Sequence, residues 1–304
     1  MRLVRRRDCT EAAGSRPDHA ALHRLCRGRG AVTESPALAA PDFTLRGSET
    51  LRQLDGKTYE KQLHACQERL RAVQLSYLHH RTRGVVVMEG WDASGKGGVI
   101  RRMAAVMEPR ACSFWAIGPP QPEWQGRHYL ARFWPLLPEP GRISVFDRSW
   151  YGRVLVERVE GLTGQAAWRR AYDEINEFER MLLDDGVRIV KIFMHVSPKE
   201  QLRRFQSRID EPLKRWKMTM ADIRNREMRH AYEKAVEEMV QRTSTVRAPW
   251  HVIPGDCKKY ARVHTLGLIA EGLGEGLDLA PAPLARDVAR AARERLGLNI
   301  PEGL

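Results

Sequence analysis

The amino-acid sequence predicts an α/β fold in which a parallel sheet is covered by helices on both faces. Four short apolar runs, rich in β-branched residues, are separated by segments of helical length, the alternation typical of parallel sheets. A glycine-rich loop follows the first run, and an acidic residue ends the second. Ligands of such sheets bind at the carboxyl ends of the strands. The predicted strands are residues 85–88, 143–146, 187–196 and 250–253.

Segments with helical spacing of apolar residues fill the intervals between these runs. The first extends from residue 57 to residue 83 and leads directly into the first strand. Gly186 follows a later segment at the position where a glycine commonly ends a helix. The remaining helices are predicted at residues 124–137, 165–185, 219–243 and 285–296.

Length and composition favour a globular cytoplasmic protein. With 304 residues and 42% hydrophobic content, the chain can bury a sizeable core. Its apolar runs are far shorter than the roughly 20 residues that cross a bilayer, so we expect no membrane partner. The first 30 residues lack the apolar core of a secretory signal. The five scattered cysteines favour free thiols in a reducing compartment.

The formal net charge of +13 is concentrated in two segments. Residues 1–30 and residues 199–230 each carry a net charge of +5. This distribution indicates a polyanionic partner, which from charge alone is nucleic acid, acidic lipid or an inorganic phosphate polymer. We predict a disordered basic arm over residues 1–50, one catalytic domain over 51–270 and a helical tail over 271–304.

The loop that follows the first predicted strand has the spacing of a nucleotide-binding P-loop. Glycines at fixed positions let backbone N–H groups approach phosphate oxygens, and Lys96 can reach the outer phosphates. The residues assigned to phosphate binding are Gly90, Ser94, Gly95, Gly97 and Gly98.

Two departures from the usual P-loop indicate a metal site. Gly97 occupies the position where a Ser or Thr hydroxyl would bind magnesium, and Asp92 lies inside the loop. A carboxylate beside a phosphate chain is repulsive unless a cation lies between them. Asp92 is therefore predicted to bind the metal instead of the missing hydroxyl.

Asp147 and Arg148 follow the second predicted strand. An aspartate at the carboxyl end of a buried strand is typical of the second metal-binding acid in P-loop enzymes. We therefore predict that Asp147 and Asp92 hold one Mg²⁺ ion, and that Arg148 contacts the transferred phosphoryl group. The alternative is an Asp-Arg turn that only caps a helix.

Basic residues around Pro212 predict a lid over residues 200–235 that closes over phosphates. Arg101, in the helix after the P-loop, is expected to contact the same ligand, because a cation near a helix N-terminus is unfavourable without an anion. The alternative for such charge runs is a solvated helix face. The lid residues assigned to contact with the phosphate ligand are Arg204, Arg208, Lys214, Arg215 and Lys217.

A phosphate acceptor would explain why no histidine or glutamate is assigned as a general base. Its oxygen is already ionised near neutral pH, so the enzyme only has to align donor and acceptor and neutralise their repulsion.

Four segments together resemble the polyphosphate kinase 2 family: residues 90–98, 146–161, 207–217 and 248–254. The resemblance extends over roughly residues 50–270. It implies a three-layer α/β/α P-loop fold like that of thymidylate kinases, with a helical lid, and magnesium-dependent transfer of phosphate between inorganic polyphosphate and a nucleotide. It assigns catalytic roles to Asp92, Lys96, Asp147 and Arg148, and it places Arg208 and Lys214 in the lid.

Residues 147–158 look closest to the polyphosphate:AMP phosphotransferase branch, many of whose members fuse two such domains. This chain has room for one, which leaves an acceptor of the AMP, ADP or GDP class. We expect a homo-oligomer with no nucleic acid as its main partner. The competing hypotheses are an ATP-dependent nucleoside monophosphate kinase and a polyanion-binding protein without catalysis.

Overall fold

The protein is described over residues 37–46 and 53–301 from a computed structural model. A five-stranded parallel sheet forms its centre, with the strand order β2-β3-β1-β4-β5. The strands are β1 (Arg83–Gly90), β2 (Cys112–Ala116), β3 (Ile143–Asp147), β4 (Val187–His195) and β5 (Trp250–Pro254).

Helices connect the strands and cover the sheet. They are α1 (Gly56–His80), α2 (Lys96–Ala104), α3 (Val156–Val159), α4 (Gln165–Asp184), α5 (Pro198–Asp210), α6 (Met220–Glu227), α7 (Arg229–Thr243), α8 (Lys258–Gly274) and α9 (Arg286–Leu296). In the described ranges, no helix combines the length and apolarity needed to cross a membrane.

Two apolar clusters cover the two faces of the sheet. Val85 and Val87 of β1 pack into the cluster with α4 and α7, whereas Val86 and Met88 pack into the cluster with α1 and α8. Successive side chains of a strand point to opposite faces, so β1 is apolar on both sides. The predicted three-layer α/β/α architecture is confirmed.

The strand register brings the functional loops to one edge. Central strand β1 pairs in parallel with β3 and β4, and the pairing sets Met88 opposite Asp147 and Gly90 opposite Met194. The P-loop and the Asp147 turn therefore leave neighbouring strands at nearly the same height.

Several predicted elements differ from the structure. The helix predicted at residues 124–137 is wrong, because Pro122 and Pro135 limit this segment to short 3₁₀ turns and Gly126 adopts a positive φ of 74°. The predicted helix 219–243 is divided at Met228 into α6 and α7. Strand β2 was not predicted. The helix before β1, the helix ending at Gly186 and the four predicted strands are present.

The predicted domain boundaries also shift. Residues 37–46 fall within the predicted disordered arm, yet Leu38 forms a bridge with Thr245 and Leu45 is buried against the domain. The remainder of that arm lies outside the described residues. The boundary predicted at residue 270 falls inside α8, where Leu273 is fully buried. The tail helix α9 has no buried residue.

Candidate active site

The P-loop connects β1 to α2 and requires its glycines at two points. Gly90 has a φ of 142°, and a Cβ atom there would lie 2.4 Å from the carbonyl oxygen of Met194. Gly95, which has a φ of 116°, is the N-cap residue of α2. Left-handed backbone of this kind is readily adopted only by glycine. The N–H groups of Trp91 and Ser94 donate to carbonyl oxygens of the protein. The N-terminus of α2 follows this loop, and a helix N-terminus suits a phosphate.

Lys96 is the first residue of α2, and its side chain folds back over the loop. Its Nζ donates hydrogen bonds to the carbonyl oxygens of Gly90 at 2.6 Å and Trp91 at 3.2 Å. Burial lowers the pKa of Lys96, and the nearby Arg148 guanidinium adds to this effect. An anionic phosphate beside the ammonium group would oppose both effects, because it favours the charged form of Lys96.

Asp92 lies in the loop, and both of its carboxylate oxygens have partners. Arg148 Nη2 donates to Oδ1 at 2.8 Å, and Asn225 Nδ2 of α6 donates to Oδ2 at 2.7 Å. Arg148 has a positive φ of 66°, and its backbone N–H donates to the carbonyl oxygen of Met88. The turn after β3 is therefore joined to the end of β1.

Asp147 is the last residue of β3, and in the described part of the chain its carboxylate accepts no hydrogen bond. Two carboxylates at adjacent strand ends are hard oxygen donors that fit a divalent cation of the magnesium type. No group of three or more His, Cys, Asp or Glu that could hold a metal occurs within residues 37–46 and 53–301. A cation held by Asp92 and Asp147 would complete its coordination with water and phosphate oxygens, as Mg²⁺ commonly does.

Glu89, the residue before Gly90, was not identified from the sequence. It is buried, and Ser149 Oγ donates a hydrogen bond to its Oε1 at 2.8 Å. Burial raises its pKa, while the Ser149 hydrogen bond and the Arg148 charge oppose that rise. An acidic residue ending an apolar run is the only sequence signal for it. Glu89 connects the end of β1, where the P-loop begins, to the turn after β3 through its hydrogen bond from Ser149.

A buried ion pair anchors the segment after Arg148. Lys191 Nζ of β4 donates to Glu179 Oε2 at 2.7 Å and to the Tyr151 hydroxyl at 3.1 Å. Tyr151 in turn donates to Glu179 Oε1 at 2.7 Å, and so does Trp150 Nε1 at 3.1 Å. The aromatic residues that follow Asp147-Arg148-Ser149 are thereby fixed to α4 and β4.

A pocket opens beside the P-loop. Glu89, Asp92, Arg148 and Arg229 provide its charged groups. Its remaining wall is largely apolar or aromatic and includes Trp91, Leu155, Val156, Phe193, Tyr232 and Val236. An apolar pocket with a few convergent polar groups is typical of small-ligand sites.

The structure divides the predicted lid cations into two groups, and the first of these donates to other segments of the protein. Arg204 is 3% exposed and donates to the carbonyl oxygens of Ala93 and Ser94 in the P-loop and of Asp256 after β5. Arg208 donates to the carbonyl oxygen of Lys217 and to Asp222 Oδ1. These contacts hold protein segments together, and the phosphate contacts of both residues stay predictions.

The second group lies on the turn Pro212–Lys217. Arg215 is exposed and Lys214 and Lys217 are partly so. Lys214 pairs with Glu211, Arg215 donates to the carbonyl oxygen of Ile209, and Lys217 lies over the Trp216 ring. None of these contacts buries the cation, so this group remains available to an anion.

Arg101 is exposed but does not lie where the sequence analysis placed it. Helix α2 has nine residues, so Arg101 is in its last turn, where a cation is favourable without any ligand. Sequence reasoning missed Arg262 of α8, whose Nε lies 3.5 Å from the position of a Cβ atom on Gly98. A cation about one turn into a helix after β5 gives no motif signal.

Comparison with known proteins identifies the family. The polyphosphate kinase 2 (PPK2) profile matches residues 53–275. The chain belongs to the polyphosphate kinase 2 family. This confirms the resemblance drawn from the motifs, over almost the same range.

Relatives and solved structures agree with this family assignment. The chain is 43% identical over 256 residues to the polyphosphate:AMP phosphotransferase of Pseudomonas syringae pv. tomato, covering 84% of this chain and 51% of that protein. It is 40% identical over 208 residues to ADP-polyphosphate phosphotransferase 2 of Rhizobium meliloti, covering 68% of each. A polyphosphate kinase 2 crystal structure from Arthrobacter aurescens TC1 aligns with a TM-score of 0.77 at 31% identity, covering 84% of this chain and 93% of that one. The chain spans about half the length of the polyphosphate:AMP phosphotransferases it matches.

Proposed function

We propose that the protein is a Mg²⁺-dependent phosphotransferase that moves a phosphoryl group between inorganic polyphosphate and a nucleoside mono- or diphosphate. The observation that carries this proposal is the position of Asp92. Its carboxylate belongs to the P-loop, pairs with Arg148 from the neighbouring strand and lines the adjacent pocket. A phosphate donor on the loop and an acceptor in the pocket would meet at this residue.

Each site residue has a role in this proposal. The P-loop backbone and Lys96 bind the phosphate chain. Asp92 and Asp147 hold Mg²⁺, which when bound neutralises phosphate charge. Arg148 leaves Asp92 to contact the transferred group, since a guanidinium binds phosphate oxygens in a bidentate manner. Lys214, Arg215 and Lys217 contact the polyphosphate from the turn Pro212–Lys217, and Arg204 and Arg208 hold the loop and the turn in place.

The nucleotide acceptor is proposed to occupy the pocket beside the P-loop. Its aromatic and apolar wall suits a base and ribose, and its charged end at Asp92 and Arg148 suits the phosphate through a bound cation. The names of the relatives mention AMP and ADP. No general base is needed because the acceptor phosphate is ionised near neutral pH. A homo-oligomer and a cytoplasmic location remain predictions from the sequence.

The proposal is tested by incubating the full chain with polyphosphate and Mg²⁺ and with AMP, ADP or GDP separately, without ATP. We expect the next higher phosphate from at least one acceptor. Activity that requires ATP and ignores polyphosphate would instead support a nucleoside monophosphate kinase.

Asp147→Asn separates catalysis from simple polyanion binding. We expect this variant to lose turnover while its polyphosphate affinity, measured by fluorescence anisotropy, stays equal or increases, because the change removes a negative charge from the site. Retention of full turnover would contradict the metal role of Asp147.

A further inference from the structure

The two oxygens of the Asp92 carboxylate are held by chemically different partners. Oδ1 accepts from the cationic Arg148 at 2.8 Å, and Oδ2 accepts from the neutral amide of Asn225 at 2.7 Å. The Asp92 side chain is 14% exposed, whereas that of Arg148 is 44% exposed. Arg148 is the more exposed of this ion pair and carries a positive charge. A metal cation could therefore take its place beside Oδ1.

The amide of Asn225 is fixed in one orientation. Its Oδ1 accepts a hydrogen bond from the Tyr232 hydroxyl at 3.1 Å, so its Nδ2 faces Asp92. Tyr232 is buried, and its ring lies edge-on to Trp91 with 6.5 Å between centroids. A flipped amide would place its oxygen against the carboxylate, which is repulsive. Asn225 can therefore act only as a donor to Asp92.

The lid helices also hold the backbone of Asp92. Gln201 Nε2 of α5 donates to the Asp92 carbonyl oxygen at 2.9 Å. The Gln201 side-chain oxygen accepts from Arg226 of α6 at 3.0 Å and from Arg229 of α7 at 3.2 Å. The P-loop acid is thus connected to α5, α6 and α7 through both its backbone and its side chain.

We propose that Asn225 is a positioning residue for the metal site. Its neutral N–H donor holds Oδ2 without competing for the cation, and this orients Oδ1 towards the position that Arg148 vacates when the metal binds. Partners of this kind, which orient a metal-binding carboxylate without touching the metal, typically change metal affinity 10- to 100-fold when removed. The proposal rests on the metal role of Asp92 in the proposed function.

The same hydrogen bond couples the metal to the lid. Asn225 belongs to α6, so displacement of α6 would release Oδ2 and disorient the carboxylate. By linkage, a metal that prefers the oriented carboxylate stabilises α6 in the described position to the same extent.

The test measures Mn²⁺ binding to the nucleotide-free full chain by the electron paramagnetic resonance signal of free Mn²⁺. We expect Asn225→Ala to raise the Mn²⁺ Kd by about 10- to 100-fold. Tyr232→Phe, which removes only the group that fixes the amide, should raise it by a smaller factor. Gln206→Ala is the matched control, since Gln206 is an exposed amide of the lid that bonds Asp210. Asp92→Asn verifies that the titrated site is this one.

Hydrogen exchange provides a second measurement. If Asn225 had only a structural role, Mn²⁺ would protect α6 equally in the parent protein and in the variant. We expect Mn²⁺ to increase the protection of residues 220–227 in the parent protein and in Gln206→Ala, but not in Asn225→Ala. A gain of protection in Asn225→Ala equal to that of the parent would overturn the coupling.

The outcomes separate this proposal from the proposed function. A parent protein that binds no Mn²⁺ at Asp92 overturns the metal role and the inference together. A parent that binds Mn²⁺ while a folded Asn225→Ala binds it equally well overturns the inference alone. If circular dichroism shows that Asn225→Ala does not fold, an unchanged Mn²⁺ affinity in Tyr232→Phe overturns the inference.

Discussion

Two basic regions of this protein look alike in sequence and differ in structure. The first, called the support, is the part of α5 around Arg204 that contacts the P-loop, and the second is the exposed turn Pro212–Lys217. Arg204, in the support, is 3% exposed and donates to backbone carbonyl groups. On the turn, Leu213 is 83% exposed and Trp216 is 76% exposed, beside three half-buried or exposed cations. A cation with all its hydrogen bonds inside the protein stabilises the fold, whereas one in solvent remains available to a ligand. The difference predicts separate effects on stability and on substrate binding.

The largest expected effect comes from the ion pair behind the site. Lys191→Met leaves the fully buried Glu179 carboxylate without its cation, so we expect a loss of about 3–5 kcal/mol in the free energy of unfolding, measured with urea. The double variant Lys191→Met with Glu179→Leu should regain most of that loss, because no buried charge remains. A single variant as stable as the parent would show that the Lys191–Glu179 ion pair does not stabilise the fold.

The next effect compares the two regions directly. Arg204→Met removes a buried guanidinium from several carbonyl groups, so we expect it to lower the free energy of unfolding by about 2–4 kcal/mol. Arg215→Met, on the exposed turn, should change it by less than about 0.5 kcal/mol. Urea unfolding of both variants under the same conditions tests this difference. Equal losses in the free energy of unfolding would show that the two regions contribute equally to stability.

On the exposed turn we expect an effect on substrate binding instead. Replacing Lys214 and Arg215 together by Met should raise the KM for polyphosphate about tenfold, since each lost phosphate contact removes part of the electrostatic attraction. The kcat should change less, and the difference from the parent should narrow at high KCl. Lys199→Met, an exposed cation of α5 away from the turn, is the control. A KM unchanged at low salt would assign the turn no role in binding.

The smallest expected effect depends on pH. Burial opposes ionisation of Glu200, yet hydrogen bonds from Arg203 and Arg204 lower its pKa from 4.5 to about 2. A depressed pKa in the folded state means that the stabilisation is complete above about pH 4.5 and is lost as the pH falls towards 2. In Glu200→Gln, the urea midpoint should fall less between pH 5 and pH 3 than in the parent. Parallel pH profiles would show that this pair contributes nothing to acid sensitivity.

The sequence was sufficient for the strands that carry the site and for the convergence of its two loops. β1, β3, β4 and β5 are mostly apolar because helices cover the sheet, and such runs are visible without a structure. β2 was missed because Cys112–Ala116 contains no β-branched residue, the feature by which the other strands were recognised.

Contacts between distant segments were not predictable from local patterns. A charge run does not show that Arg204 donates to the P-loop carbonyl oxygen of Ser94, 110 residues earlier in the chain. Asn225 and Tyr232 belong to no motif, and their relation to Asp92 arises from the packing of α6 and α7 against the loop.

The pairing of Met88 with Asp147 restricts how the chain can vary in length. Side chains alternate along β3, with Val145 on one face of the sheet and Phe146 on the other. Deleting one residue within β3 would exchange those faces and move Arg148 into the position of Asp147. Insertions and deletions that keep Asp147 in its position are therefore confined to the connections between strands. The length of β3 is fixed even where its apolar residues can be exchanged.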